Sequence, residues 1–209
     1  MIKGNEKLII ICGMAHSGTT IVAHVIRQHP DFVLFNNGSM AFILENDFLL
    51  NANAKKIESL TQKENRVILK RPWIENNHTD WLIENMPNSY YLYCLKDKNS
   101  IIKSWSAHNS YVNPKFRKSS HDEKSNSYDT CYANAMKLKD KVKNFMTIEN
   151  EKLIANPIEM FNDINIFLNA KQFNYNLSDV SSTESIKTKL IEERKKPNIK
   201  TQNNRYKML

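Results

Sequence analysis

The chain has 209 residues, of which 41% are hydrophobic, 10% aromatic and 25% charged, the composition of one ordinary globular domain that can bury about 70% of its unfolded surface without a disulfide or a metal. Four glycines and six prolines exclude collagen-like and low-complexity chains, and no apolar run approaches the ~20 residues of a membrane span. The net charge of +8 is concentrated: residues 187–209 hold eight Lys or Arg against two acids, and the remaining body is close to balance at +2. A basic C-terminal segment on a near-neutral body gives no reason to expect a nucleic-acid partner. The N-terminal residues lack the long apolar region of a signal peptide. The three cysteines are an odd number, and Cys12 and Cys94 sit inside apolar runs. They read as reduced core residues of a cytoplasmic protein.

In chain order, Leu8–Cys12 is the first predicted strand, Gly13–Gly18 a glycine turn, and Thr19–Gln28 a helix with Ile21, Val22, Val25 and Ile26 on one face. His29-Pro30-Asp31 stops that helix. Phe32–Phe35 is a short second strand. Met40–Leu60 is helical in part, with an Asn-rich break near Asn51–Asn53. Arg66–Leu69 is a third strand. Thr79 is the expected N-cap of a helix reaching Met86, and Met86-Pro87-Asn88 turns the chain. Tyr90–Leu95 is apolar throughout, as in a buried central strand. Asn99–His108 is a helix, and the polar stretch Asn109–Ser127 reads as a long surface loop or lid. Tyr128–Lys143 is an amphipathic helix, Asn144–Ile148 a last strand, and Pro157 opens a helix to Leu168. Strands alternating with helices predict an α/β domain over residues 1–186, three layers deep around a mostly parallel sheet, with residues 187–209 as a separate basic segment.

The stretch from Leu8 to Thr20 carries most of the chemistry. A buried strand, a tight glycine loop and a helix start aim several backbone N–H groups and a helix dipole at one place, which suits a phosphate or similar anion. Gly13 and Gly18 have the spacing of a nucleotide-triphosphate loop, G-x-x-x-x-G, but Thr19 and Thr20 follow where that loop requires a lysine and a Ser or Thr. Downstream, Lys96 ends the Tyr90–Leu95 strand, where doubly wound sheets place their ligands. It is a point charge suited to a phosphate monoester.

Gly-Met-Ala-His-Ser-Gly-Thr-Thr at 13–20 resembles the 5′-phosphosulfate loop of sulfotransferases that use 3′-phosphoadenosine 5′-phosphosulfate (PAPS), whose usual form is G-x-x-R-S-G-T-T. The segment from Tyr90 to Ser104 is similar to that family's 3′-phosphate motif, a strand ending in Arg-Asp-Pro with a Ser eight residues after the Arg; Lys96 and Ser104 stand eight apart here. Phe145 to Pro157 looks like the family's strand, acidic-Leu and Asn-Pro segment. The resemblance spans about residues 7–170.

It implies a three-layer, P-loop-like fold and in-line sulfuryl transfer from PAPS to a hydroxyl or amine, for example of a carbohydrate. Adenosine 3′,5′-bisphosphate would be the other product, and no metal would take part. By the same resemblance Ala15, His16, Ser17, Gly18, Thr19 and Thr20 would cradle the 5′ end, and Lys96 and Ser104 would bind the 3′-phosphate. Lys70 and His16 would supply positive charge at the leaving oxygen, and Glu45 is the nearest acid to where some branches keep a general base. Trp73 could stack on adenine or pack in the core. The sequence departs from the family at His16 (usually Arg or Lys), at Lys96 (Arg) and at Lys98 (Pro). Pro72 falls where some members have a catalytic His. No Arg-Lys-Gly loop is visible, although Arg194-Lys195-Lys196 could serve the same phosphate. Two alternatives stay open: a nucleotide-dependent kinase on a P-loop fold, and a non-catalytic polyanion-binding module acting through its basic tail. The acceptor is expected to contact residues 36–60 and 109–127.

Overall fold

Leu8–Gly13 is apolar throughout and buried at every position, as the central strand of a parallel sheet must be. In the computed structural model, which describes residues 4–34, 51–71, 76–107 and 118–178, this strand (β1) lies between β3 (Arg66–Arg71) and β4 (Tyr90–Leu95). β2 (Phe32–Leu34) pairs with the outer side of β3, and β5 (Asn144–Glu149) with the outer side of β4. All four pairings are parallel, in the order β2-β3-β1-β4-β5.

The alternation of side chains along β1 feeds two cores. Leu8, Ile10 and Cys12 face one helical layer and Ile9 and Ile11 the other. The first layer is α3 (Asn76–Asn85), α4 (Lys98–Ala107) and α5 (His121–Lys139), packed through Leu82, Ile101, Trp105, Tyr128, Ala135 and Leu138. The second is α1 (Thr19–Ile26), α6 (Asn150–Ala155) and α7 (Pro157–Phe167), packed through Ile21, Val22, Val25, Leu153, Phe161 and Ile164. α2 (Asn51–Lys63) reaches the first core through Leu60. The three-layer α/β class read from the sequence is therefore the observed one. The chain leaves β1 toward β2 on one side and β4 toward β5 on the other, so the crevice between the carboxyl ends of β1 and β4 is the topological switch point where such sheets bind ligands.

Several local expectations are corrected. Residues 121–127 are the first turns of α5 and not a loop. Ser120 caps that helix, its hydroxyl accepting from the Glu123 N–H at 3.2 Å while the Ser120 N–H donates to the Glu123 carboxylate at 2.6 Å. This is a capping box, and it lets a polar first turn stay helical. The same helix ends at Lys139, four residues before Lys143. Asn51–Asn53 lie in the helix α2, which continues past Leu60 to Lys63. Thr79 lies buried inside α3 and is not its cap. α6, in a stretch to which the sequence assigns no element, occupies Asn150–Ala155. Phe35, His108, residues 40–50 and 109–117 and the basic segment 187–209 lie outside the described residues. Among the described residues no helix is long and apolar enough to cross a membrane.

Candidate functional site

Gly13 ends β1 with φ of 146°, and a Cβ there would come within 2.4 Å of the Cys94 carbonyl oxygen on β4 and 2.7 Å of Ser17 Oγ. Both the dihedral and the contact require glycine. Gly13→Ala should lower unfolding stability by about 2–4 kcal/mol, through backbone strain and overpacking against a backbone atom that cannot rotate away. A urea titration checks this, and an unchanged midpoint would contradict the geometry.

From Gly13 the loop folds back on itself, the Ser17 N–H donating to the Met14 carbonyl at 3.1 Å. His16 adopts φ of 72°, a left-handed conformation uncommon outside glycine. Gly18, with φ of 99°, is the N-cap of α1, and its carbonyl accepts the first helical bond, from the Val22 N–H at 3.1 Å. The N–H groups of Thr19, Thr20 and Ile21 fall in the first turn, where the helix offers no backbone acceptor. That turn contains no acidic residue. The positive end of the helix dipole therefore meets no carboxylate of its own turn.

Side chains from three elements converge on this loop. Lys70, near the end of β3, donates from Nζ to Thr20 Oγ1 at 2.7 Å. On α4, Ser104 Oγ lies 2.9 Å from His16 Nδ1, and the Trp105 Nε1–H donates to the Ala15 carbonyl at 3.0 Å. From the start of α6, Asn150 Nδ2 donates to the Ser17 carbonyl at 3.4 Å. Ser17 Oγ is buried and finds no hydrogen-bond partner among the described residues, a polar group that ordinarily requires one.

The electrostatics follow from burial. Lys70 has its pKa lowered to about 8, because enclosure between β3 and α1 disfavours its charged form, with Cys94 acting weakly in the opposite sense. Full burial pushes the Cys94 thiol up to about 12, which leaves it a packing residue and not a nucleophile. Lys96 follows β4 directly. Its carbonyl accepts from the Tyr128 hydroxyl at 3.0 Å, while its ammonium engages no acid among the described residues. The neighbouring Asp97 instead caps α4, accepting from the Ser100 N–H at 2.8 Å, and that bond lowers its pKa. Lys98 pairs with Asp129 at 2.7 Å.

The structure thus brings Ala15, His16, Ser17, Gly18, Thr19, Thr20, Lys70 and Ser104 together, with Lys96 at the end of the adjoining strand. Glu45, Pro72 and Trp73 lie outside the described residues. Trp105 and Asn150 were not singled out from the sequence. Each adjoins a quoted motif, but nothing in spacing alone says that their side chains reach the loop. First-turn N–H groups, the orphaned Ser17 hydroxyl and a lysine at the end of each strand flanking β1 fit an anionic ligand with two charged ends. Among the described residues no three His, Cys, Asp or Glu side chains converge as a metal site would require.

No family model and no curated protein matches the sequence. Solved structures do match the fold. A sulfotransferase from Alicyclobacillus acidocaldarius superposes with a TM-score of 0.62 at 14% identity, over 88% of this chain and 90% of that one. The sulfotransferase domain of the Synechococcus PCC 7002 olefin synthase gives 0.61 at 16% identity, over 86% and 82%. A mouse sulfotransferase solved in complex with PAP gives 0.57 at 15% identity, over 88% and 67%. The chain has the sulfotransferase fold.

Proposed function

We propose that this protein is a PAPS-dependent sulfotransferase that transfers a sulfuryl group to a hydroxyl or amine, with a carbohydrate as the acceptor class to try first. The observation that carries this reading is the loop 13–18 at the switch point. It has a cation on each side, Lys70 on β3 and Lys96 after β4, and no lysine within it. A triphosphate loop places its lysine directly after the second glycine to reach the β- and γ-phosphates. This loop has His16 and Thr19 instead, and keeps its cations on the two neighbouring strands.

PAPS, when bound, supplies an activated sulfuryl group on its 5′-phosphate. The chain's own residues do the rest. First-turn N–H groups and the Ser17, Thr19 and Thr20 hydroxyls hold the 5′ end in an orientation fixed before binding. Lys96, with Ser104, holds the 3′-phosphate. Lys70 and His16 face the oxygen on which negative charge develops. Glu45 is the proposed acceptor base, residues 36–60 and 109–127 the proposed acceptor contacts, and Arg194-Lys195-Lys196 a further cation source. Adenosine 3′,5′-bisphosphate is the co-product. Three free cysteines, all buried, suit a reducing cytoplasm.

Thermal denaturation with adenosine 3′,5′-bisphosphate against ATP-Mg tests the reading. At a hundredfold excess over Kd the bisphosphate should stabilise the fold by about 2.7 kcal/mol, and ATP-Mg should give a much smaller shift. The reverse order would favour the kinase reading. A scan of acceptors with labelled PAPS then identifies the product.

A further inference from the structure

An anion cradle made of N–H groups fails if a peptide in it turns over, because a carbonyl oxygen then faces the anion. We propose that Asn150 and Trp105 are positioning residues that prevent this by holding two loop carbonyls outward, on opposite faces of the sheet. The inference rests on the anion-cradle reading of loop 13–18 and goes beyond it in naming what keeps the cradle open.

Three peptides of the loop have a definite place for their oxygens. The Met14 carbonyl is taken by the Ser17 N–H within the turn. The Ala15 carbonyl is taken by Trp105 Nε1, from α4 in one helical layer. The Ser17 carbonyl is taken by Asn150 Nδ2, from α6 in the other. In a trans peptide the N–H points opposite to the C=O. Tying the Ala15 oxygen to Trp105 therefore turns the His16 N–H away from α4, and tying the Ser17 oxygen to Asn150 turns the Gly18 N–H away from α6. Each tie therefore keeps its peptide from turning the carbonyl oxygen to the side on which its N–H lies.

The packing around Asn150 supports a dedicated contact. Asn150 is buried. A Cβ on Gly18 would lie 2.7 Å from its Nδ2 and 3.9 Å from its Cγ, so the tip of the amide reaches up to the Gly18 backbone. Any side chain at 18 would displace it, which adds a second reason for glycine there besides φ of 99°. Trp105 is fully buried, so its ring cannot drift from the Ala15 oxygen.

The chain has only four glycines, Gly4, Gly13, Gly18 and Gly38, so protein labelled with ¹⁵N-glycine gives four resolvable amide signals. On titration with adenosine 3′,5′-bisphosphate the Gly18 amide proton should move downfield as it donates to the ligand. Asn150→Ala should weaken the bisphosphate on the order of tenfold, as for loss of one hydrogen bond plus a misdirected carbonyl, and should shrink the Gly18 displacement at saturation. Trp105→Phe keeps an aromatic ring in the core but removes the indole N–H together with the five-membered ring that carries it. It should weaken binding several-fold while leaving the Gly18 displacement intact. The spectra themselves report whether each variant is folded. If Asn150→Ala is not, Asn150→Ser keeps a polar group too short to reach the Ser17 oxygen and carries the same expectation. Full affinity and a full Gly18 displacement in the folded Asn150 variant overturn the positioning role alone. A Gly18 signal that ignores the bisphosphate in the unsubstituted chain overturns both this role and the cradle on which it rests.

Discussion

Lys70→Met should yield a protein that is more stable and nearly inactive. The ammonium is held between β3 and α1, where burial lowers its pKa from the ordinary 10.5 to about 8. Its charged form is therefore destabilised by folding, and a shift of that size corresponds to a few kcal/mol at most. The sign follows from proton binding. Between pH 8 and 10.5 the unfolded chain holds a proton on this lysine that the folded chain has released, so this group makes stability rise with pH across that window. Below pH 8 its burial cost is present in full. Methionine removes the cost while filling similar volume, and should raise unfolding stability at pH 7 by about 1–2 kcal/mol, less what is lost with the bond to Thr20 Oγ1.

Transfer should fall by about 10²–10³, the usual effect of removing one donor aimed at developing charge. With the lysine present, kcat/KM for PAPS should decline as pH rises through about 8. In kcat the same limb should sit at higher pH, because the bound anion favours the ammonium. Lys70→Arg should stay charged and flatten both limbs. Urea unfolding and pH–rate profiles of the three proteins decide the matter. A Lys70→Met protein that is less stable and fully active would remove Lys70 from the site.

The readability of this chain divides along physical lines. β1 and β4 were legible because a strand buried on both faces must be continuously apolar, and Leu8–Cys12 and Tyr90–Leu95 are. The loop was legible because close backbone approach leaves a glycine signature at 13 and 18. The start of α5 was misread because its first seven residues are all polar and, apart from the buried Lys124, reach solvent. There the signal lay in capping chemistry, Ser120 and Glu123, and not in hydrophobic period. α6 was missed because a six-residue helix is shorter than two periods of the pattern that reveals one. Among site residues, those that act through backbone or local spacing were findable. The pairing of Ser104 with His16, and the reach of Trp105 and Asn150 to loop carbonyls, depend on how α4 and α6 dock against the sheet, at sequence separations of 88, 90 and 133 residues. Spacing along the chain contains no record of that docking.

Lys96→Ala should separate the two phosphates of the ligand. The Lys96 side chain stands at the carboxyl end of β4 with no acidic partner among the described residues, and Asp97, the carboxylate beside it, is committed to the α4 N-terminus. A phosphate arriving there displaces no ion pair, so the contact should realise most of the ~1.5–3 kcal/mol of a charge-assisted hydrogen bond. The variant should bind adenosine 3′,5′-bisphosphate roughly 10- to 150-fold more weakly at low salt, and should bind AMP, which lacks the 3′-phosphate, as the unsubstituted chain does. Ser104→Ala should cost the bisphosphate less, because it removes a neutral hydroxyl that is shared with His16 Nδ1 and not a charge. Lys96→Arg restores charge with a planar fork and should recover or exceed the original affinity. Added salt should narrow the gap between bisphosphate and AMP in the unsubstituted chain, and should leave little gap to narrow in Lys96→Ala. Calorimetric titration of the two nucleotides at two ionic strengths measures all of this. Equal losses for bisphosphate and AMP would mean that Lys96 supports the fold or the 5′ end, and the assignment of the 3′-phosphate to this strand end would be wrong.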